Sequence, residues 1–115
     1  MTVGQLKEQL DLKELSKGND AAEIMGGCVC DLLSWVMAHG VQNGVWITVQ
    51  THINIIAVAT LLELACIVVP EGITVEQTTL DKAAEEGIAI LGSEKSAFEL
   101  AGLMYQNGIA ATQRA

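Results

Sequence analysis

The polar cluster at residues 50–54 is the densest group of chemically capable side chains in an otherwise apolar part of the chain. It contains Gln50, Thr51, His52 and Asn54. These residues lie between a strand-like run and a helix-like run, where backbone N–H groups are free and the helix dipole favours negative charge. Such a cluster can hold a phosphate, a carboxylate or an amide. The alternative is structural: Thr51 or Asn54 would cap the helix, and His52 would fill a turn.

Two glycine-containing segments are candidates of the same kind. The pair Gly26-Gly27, followed by Asp31, would let backbone amides approach a ligand, or would form a bulge in a strand without any ligand. The segment Gly92-Ser93-Glu94-Lys95-Ser96 resembles a helix start that binds an anion, with Lys95 adding a positive charge. Plain N-capping by Ser93 is the alternative explanation.

The three cysteines suggest a different chemistry. Strand alternation places the thiols of Cys28 and Cys30 on one face, and with His52 they would form a partial metal, iron–sulfur or redox site. However, a closed zinc site needs four ligands, usually with Cys-x2-Cys spacing or wider, and small thiols commonly pack in cores. Cys66 lies in the strand-like run Cys-Ile-Val-Val, which predicts a core position. We therefore predict no metal and no cofactor, and keep the site of Cys28, Cys30 and His52 as an alternative.

Common catalytic signatures are missing from the sequence. It contains no Gly-x4-Gly-Lys-Ser/Thr phosphate loop, no Gly-x-Gly-x-x-Gly fingerprint and no Gly-x-Ser-x-Gly nucleophile elbow. Its two histidines, His39 and His52, have no paired ligands, which argues against a metallohydrolase. The sequence therefore predicts that the protein is not an enzyme.

Composition and charge exclude several partners. Six Lys or Arg stand against fourteen Asp or Glu, a net charge of −8 that would repel nucleic-acid phosphates and anionic membrane surfaces. Aromatic residues for stacking on bases are few: two Trp, one Tyr and one Phe. We expect no nucleic-acid partner and no membrane partner. No secretory signal is recognisable and the thiols are expected to be reduced, so the predicted location is cytoplasmic.

Hydrophobic patterning predicts the elements that position these residues. Over Val45–Ser96, a strand-like apolar run ends in polar residues and opens a helix three times, with runs beginning at Val45, Cys66 and Ile88. This alternation predicts an α/β fold, a layered, mostly parallel central sheet flanked by helices. Parallel sheets bind ligands beyond the carboxyl ends of their strands, so the three polar junctions are expected along one edge. The 115 residues predict a single domain over residues 1–110 and a flexible tail over 111–115.

The other predicted helices and strands do not repeat this pattern, and their boundaries are predicted one by one. Residues 12–15 either extend the first helix or form a strand. Helix 53–64 is apolar on nearly every face, which predicts that the sheet covers one side and another helix or a subunit covers the other. Ser93 is the predicted N-cap of the last helix. The remaining predictions are a helix over 3–12, a strand over 24–30, a helix over 31–38, a helix over 75–86 ended by Gly87, and a last helix ending at Gln106.

Three passages resemble the DRTGG domain. They are residues 26–34 (Gly-Gly-Cys-Val-Cys-Asp-Leu-Leu-Ser), 45–54 (Val-Trp-Ile-Thr-Val-Gln-Thr-His-Ile-Asn) and 92–102 (Gly-Ser-Glu-Lys-Ser-Ala-Phe-Glu-Leu-Ala-Gly). The motif that names the family survives as Ile24-Met25-Gly26-Gly27, without its Asp-Arg-Thr portion. Related domains precede the kinase part of HPr kinase, lie within some phosphotransacetylases, and accompany CBS domains in regulated pyrophosphatases. The resemblance implies a regulatory or assembly module of α/β architecture, often at a subunit interface.

We therefore predict a non-catalytic regulatory module that senses a small anionic ligand or nucleotide and acts as a homodimer or a partner subunit. HPr kinase activity is not expected, because no loop is present to hold a nucleotide for phosphoryl transfer. The alternatives are an interaction subunit of a larger enzyme complex and a cysteine-based metal or redox protein. For the interaction subunit, the resemblance suggests a hydrogenase complex as an example, since stand-alone members of the family occur in anaerobes that carry hydrogenases. The predicted ligand-binding residues are Gly26, Gly27, Gln50, Thr51, His52, Asn54, Ser93 and Ser96.

Overall fold

The computed structural model describes residues 1–111 and is built around one mixed sheet. Its strands are β1 (Lys13–Ser16), β2 (Gly27–Val29), β3 (Val45–Ile47), β4 (Cys66–Val69) and β5 (Ile90–Gly92). They are arranged in the order β1-β5-β4-β3-β2; β1 is antiparallel to β5 and the other neighbours are parallel. The predicted α/β class and mostly parallel sheet are confirmed. Apart from Ala111, the predicted tail lies outside the described residues.

Five helices in the described part of the chain cover the two faces of this sheet. They are α1 (Val3–Gln9), α2 (Leu33–His39), α3 (Asn54–Leu62), α4 (Gln77–Glu86) and α5 (Ala97–Gln106). Leu6 of α1 and Leu100 of α5 belong to the core on one face, and helices α2, α3 and α4 form the core on the other. The domain is therefore a three-layer sandwich of helices, sheet and helices.

The burial of β3 and β4 is that expected for parallel strands in a sheet covered on both faces. Every residue of β3 and β4 is buried, and alternate side chains belong to opposite cores. Trp46 and Ile67 face helices α2 to α4, whereas Ile47 and Val68 face α1 and α5. Strands buried on both faces appear in sequence as continuous apolar runs, which is the pattern seen here.

The structure resolves one ambiguity of the N-terminal part and shortens one predicted strand. Residues 12–15 do not extend the first helix, since β1 forms there. The strand predicted over 24–30 is limited to β2. Its first residues pair elsewhere, because Ile24 donates its N–H to the carbonyl of Met1 and Met25 donates to Asn43. These two hydrogen bonds connect the segment before β2 to the N-terminus and to the turn before β3.

The start of the last helix differs from the prediction. Ser96, not Ser93, is the N-cap of α5, and its hydroxyl accepts a hydrogen bond from the N–H of Glu99 at 3.1 Å. Ser93 is the first residue after β5, and its N–H donates to the carbonyl of Val69, the last residue of β4, at 3.0 Å. The side chain of Ser93 accepts from the N–H of Lys95, closing a tight turn between strand and helix.

Helix α3 and strand β4 account for the longest apolar run of the chain. Helix α3 contacts α2 and α4 on its flanks and buries Ile55 and Ile56. Its outward side carries Ala57 and Leu61, and the latter is 63% exposed. Among the described residues, no helix combines the length and apolar character that crossing a membrane requires.

Candidate ligand-binding site at the strand ends

The carboxyl ends of β3, β4 and β5 lie side by side, because these strands are neighbours and parallel. The loops that follow them, residues 48–53, 70–76 and 93–96, therefore share one edge of the sheet. Strand β1 runs the other way, and its first residue, Lys13, pairs with Gly92 at the same edge. The structure places all three predicted polar junctions along this edge, which we call the carboxyl edge.

A groove of about 460 Å³ opens at the carboxyl edge between the loops after β4 and β5. This volume is within the range of sites that bind small molecules. Val69 and Gly92, the last residues of their strands, line the groove together with Leu15 of β1. The polar residues that line it are Asp11, Lys13, Thr74, Gln77, Ser93 and Glu94.

Two glycines give the groove its shape. A Cβ atom on Gly92 would lie 3.1 Å from Cδ1 of Leu15, so a side chain at this position would crowd the groove. Gly72 has a φ of +64°, and a side chain there would collide with the carboxylate of Glu94. The loops after β4 and β5 are joined by hydrogen bonds from Glu71 N–H to the Lys95 carbonyl and from Gly72 N–H to the Ser93 carbonyl. These bonds make a preformed wall of the groove.

The charges at the groove are mixed. Of the described residues that line it, Lys13 alone is positively charged, whereas Asp11 and Glu94 are negatively charged. Opposite charges in one groove suit a ligand that carries hydrogen-bond donors as well as an anionic group. A ligand with several phosphates would be repelled by the two carboxylates unless it carried a cation such as Mg²⁺.

Asp31 fixes the loop after β3. Its carboxylate accepts hydrogen bonds from Oγ1 of Thr48 at 2.9 Å and from the N–H of Val49 at 3.0 Å. Its carbonyl accepts from Nε2 of Gln50 at 3.0 Å. The sequence pattern did not identify this role of Asp31. The available signal was its position two residues after β2, which the parallel register places beside the end of β3.

The imidazole of His52 takes the position of a helix cap. The N-cap residue of α3 is Ile53, which forms no side-chain capping bond in the described structure. Instead, the N–H of Asn54 donates to Nδ1 of His52 at 3.3 Å. The alternative that Thr51 or Asn54 caps this helix is therefore wrong. His52 and Asn54 are exposed at the carboxyl edge but do not line the groove.

Thr79 of α4 joins the loop after β3 to the helix layer. Its side chain is fully buried, and its hydroxyl donates to the Thr51 carbonyl at 2.7 Å. We expect Thr79→Val to lower the free energy of unfolding by about 1 kcal/mol, because the shape is kept while the carbonyl loses its donor. Faster hydrogen exchange at residues 50–54 is expected too. Denaturant unfolding and amide exchange measure both effects.

The control for this substitution is Thr78→Val, since Thr78 is exposed on the same helix. This control should leave both the free energy of unfolding and the exchange rates unchanged. Equal effects of the two substitutions would show that the buried hydrogen bond does not fix the loop.

Gly26 and Gly27 do not join the other predicted site residues. The carbonyl of Gly26 accepts from the N–H of Val45, and the N–H of Gly27 donates to the Ala111 carbonyl. Both glycines therefore lie at the amino end of β2, about 10 Å from the carboxyl edge for a strand of this length. The predicted residues gathered at the carboxyl edge are Gln50, Thr51, His52, Asn54, Ser93 and Ser96. Ser93 is the member of this set that lines the groove.

The three cysteines differ in burial: Cys28 and Cys30 are partly buried, and Cys66 is fully buried. Burial, and then the neighbouring thiol of Cys30, raises the pKa of the Cys28 thiol, which makes a thiolate less available. Burial alone raises the pKa of the Cys66 thiol to about 12. Within residues 1–111, no three or more His, Cys, Asp or Glu side chains are grouped to hold a metal ion. The structure therefore does not bring His52 to Cys28 and Cys30.

No family model and no curated protein matches the chain. Among solved structures, the fold is similar to the CBS and DRTGG domains of the regulatory region of Clostridium perfringens pyrophosphatase, complexed with the activator diadenosine tetraphosphate. The TM-score is 0.74 at 13% sequence identity, over 91% of this chain and 46% of that chain. The structure is thus an α/β domain of the architecture found in that regulatory region. The match fits a DRTGG domain, as predicted, and this chain spans less than half of the matched one.

Proposed function

We propose that this protein is a non-catalytic regulatory module that binds a small molecule in the groove at the carboxyl edge. The observation that carries the proposal is the groove itself, which combines apolar and polar lining at the edge where α/β sheets bind ligands. The similar regulatory region is complexed with a nucleotide activator, which supports a nucleotide as the first ligand class to test. The missing phosphate loop supports a role without phosphoryl transfer.

The groove has complementary parts for a nucleotide. Leu15, Val69 and Ile73 offer apolar surface for a base or a sugar. Lys13 and the hydroxyl of Ser93 offer a positive charge and a donor for a phosphate. Because Asp11 and Glu94 lie in the same groove, polyphosphates are expected to bind better with Mg²⁺ than without it.

A thermal-shift screen tests this proposal. The panel contains AMP, ADP, ATP, diadenosine tetraphosphate and sugar phosphates, each with and without Mg²⁺. A ligand present at a hundred times its dissociation constant should stabilise the folded state by about 2.7 kcal/mol, a shift of several degrees in melting temperature. Unchanged melting curves across the whole panel would contradict nucleotide or sugar-phosphate sensing.

Matched lysine variants locate the site. Lys13→Met should reduce the shift produced by a phosphate-bearing ligand, since Lys13 lines the groove. Lys17→Met is the control, because Lys17 lies past the other end of β1 and its side chain is 72% exposed. His52→Ala tests whether the loop after β3 contributes. A shift lost equally in Lys13→Met and Lys17→Met would contradict binding in the groove.

An assembly role is the second candidate function, and exposed apolar side chains favour it. Large exposed apolar surfaces on soluble domains often mark sites of contact with other proteins. Such residues occur on β2, on α2 and its N-cap, and on α5. They are Val29, Leu32, Trp35, Met37, Phe98 and Tyr105.

A further inference from the structure

Two free thiols lie on one face of the sheet at its edge. Cys28 is in β2 and Cys30 follows it by two residues, so both side chains point to the same side of the strand. The register pairs Cys28 with Trp46, and both cysteines pack at the border of the core that contains Trp46. Strand β2 is the last strand of the sheet, and both cysteines are partly exposed there. A small reagent can therefore reach the pair from the side edge of the sheet.

The two thiols differ from the third cysteine and from each other. Cys66 is fully buried and belongs to the core on the opposite face of the sheet. Burial is the main cause that raises the pKa of the Cys28 thiol, and the Cys30 thiol is the second cause. This second cause agrees with two sulfur atoms close enough to interact electrostatically. Because Cys28 keeps its proton more readily, Cys30 is the thiol expected to react first.

Cys30 is also a junction of hydrogen bonds. Its carbonyl accepts from Nε1 of Trp46 at 2.7 Å, and its N–H donates to the carbonyl of Ile47 at 3.3 Å. The next residue, Asp31, accepts a hydrogen bond from the N–H of Val49 at 3.0 Å. A movement of the backbone at Cys30 would therefore reach the loop after β3, which lies at the carboxyl edge.

We propose that Cys28 and Cys30 form an oxidation site, which hydrogen peroxide converts into an intramolecular disulfide that loosens the loop after β3. In the first step the Cys30 thiolate attacks one peroxide oxygen. An S–O bond forms, the O–O bond breaks, and the leaving hydroxide takes up the proton that the thiol released, which gives water and a sulfenic acid. In the second step the sulfur of Cys28 attacks the sulfenic sulfur. An S–S bond forms, the S–O bond breaks, and the oxygen leaves as water with the proton of Cys28, so two thiols are oxidised and one peroxide is reduced to two waters.

The bridge requires a small movement of the backbone. Residues two apart in a strand have Cα atoms about 6.6 Å apart, close to the upper end of the roughly 4.4–6.8 Å usual across a disulfide. Cys30 lies beyond the last residue of β2, so the chain can shorten there at the expense of the hydrogen bonds of Cys30. A disulfide that needs such a movement is easily reduced again, which is a property of regulatory disulfides and not of structural ones. The modification is therefore reversible, and its effect is carried to the loop.

Peroxide treatment of the reduced whole chain tests the chemistry. After oxidation, unfolding and alkylation we expect one reactive thiol, that of Cys66, where the untreated chain has three. The mass of the oxidised chain before alkylation should be lower by two hydrogen atoms, and dithiothreitol should restore all the thiols. Unchanged thiols, oxygen added to sulfur without a bridge, or disulfides only between two chains would each overturn the proposal.

Two single variants test the order of the steps. Cys28→Ser should stop at the sulfenic acid of Cys30, which dimedone traps. Cys30→Ser should react with peroxide at least tenfold more slowly than Cys28→Ser, because burial keeps the remaining thiol protonated. Equal rates in the two variants would overturn the assignment of Cys30 as the attacking thiol.

The effect on the loop has its own measurement. In the oxidised chain, residues 48–53 should exchange their amide protons faster, and the indole N–H resonance of Trp46 should shift because its acceptor is the Cys30 carbonyl. Peroxide-treated Cys28→Ser cannot form the bridge, so it is the matched control and should show the exchange rates of the reduced chain. A disulfide that forms without changing exchange at residues 48–53 would contradict the proposed effect on the loop.

Discussion

Trp46→Ala is expected to lower the free energy of unfolding by about 3–5 kcal/mol, a large share of the 5–15 kcal/mol of a typical domain. Trp46 lies in β3 near the middle of the sheet and is fully buried beneath the layer of α2, α3 and α4. Its Nε1 also donates to the Cys30 carbonyl at 2.7 Å. The substitution therefore leaves a large cavity and removes the donor of that carbonyl.

Urea denaturation followed by circular dichroism measures this loss. Trp46→Phe should be intermediate, because it keeps most of the packing and loses the hydrogen bond, at a cost of about 1–3 kcal/mol. Trp35→Ala is the matched control: Trp35 is 54% exposed on α2 and stacks on His39, so its removal should cost about 1 kcal/mol or less. Similar losses for Trp46→Ala and Trp35→Ala would contradict the assigned role of the buried ring.

Replacing Trp46 by Phe should also affect the carboxyl edge. The bond from Trp46 fixes the carbonyl of Cys30, and the next residue, Asp31, holds Thr48 and Val49 after β3. The buried ring and the exposed loop are thus joined by a short path of hydrogen bonds. The loop at residues 48–53 should therefore exchange its amide protons faster in Trp46→Phe than in the natural chain.

The parallel centre of the sheet was predictable because of its composition. Strands β3 and β4 are buried on both faces, so they read as unbroken apolar runs followed by helix patterns. The positions of β1 and β2 were not predictable in the same way. Strand β1 buries only Ser16, and β2 is three residues long with no fully buried side chain. Such strands are fixed by pairing with β5 and β3 and carry little periodicity of their own.

The location of the site was more predictable than its lining. The carboxyl edge follows from the order of strands and helices alone. Asp11 and Lys13 are about 80 residues away from Ser93 in sequence, and they reach the groove because β1 pairs antiparallel with β5. Local patterns contain no information about such a pairing. The glycine pair at 26–27 was assigned to the same edge because the start of the three-residue strand β2 cannot be located from periodicity.

The buried thiol of Cys66 should make the protein less stable in alkali. Burial raises the pKa of this thiol to about 12 in the folded state, from an ordinary value of 9.0. Between these two pH values the unfolded chain has lost a proton that the folded chain keeps, so rising pH favours unfolding. The contribution is fully present below about pH 9 and is lost at about 1.4 kcal/mol per pH unit above it, or about 4 kcal/mol by pH 12.

Urea denaturation of the natural chain and of Cys66→Ala at a series of pH values from 7 to 11.5 isolates this contribution. At pH 7 the variant should be less stable by roughly 1 kcal/mol, because it leaves a small cavity. Above pH 9 the two curves should converge and then cross, since the variant lacks the titrating thiol and the two chains are otherwise identical. If the two curves remain parallel up to pH 11.5, the thiol of Cys66 is not protected from ionisation in the folded state, and its place in the closed core would have to be revised.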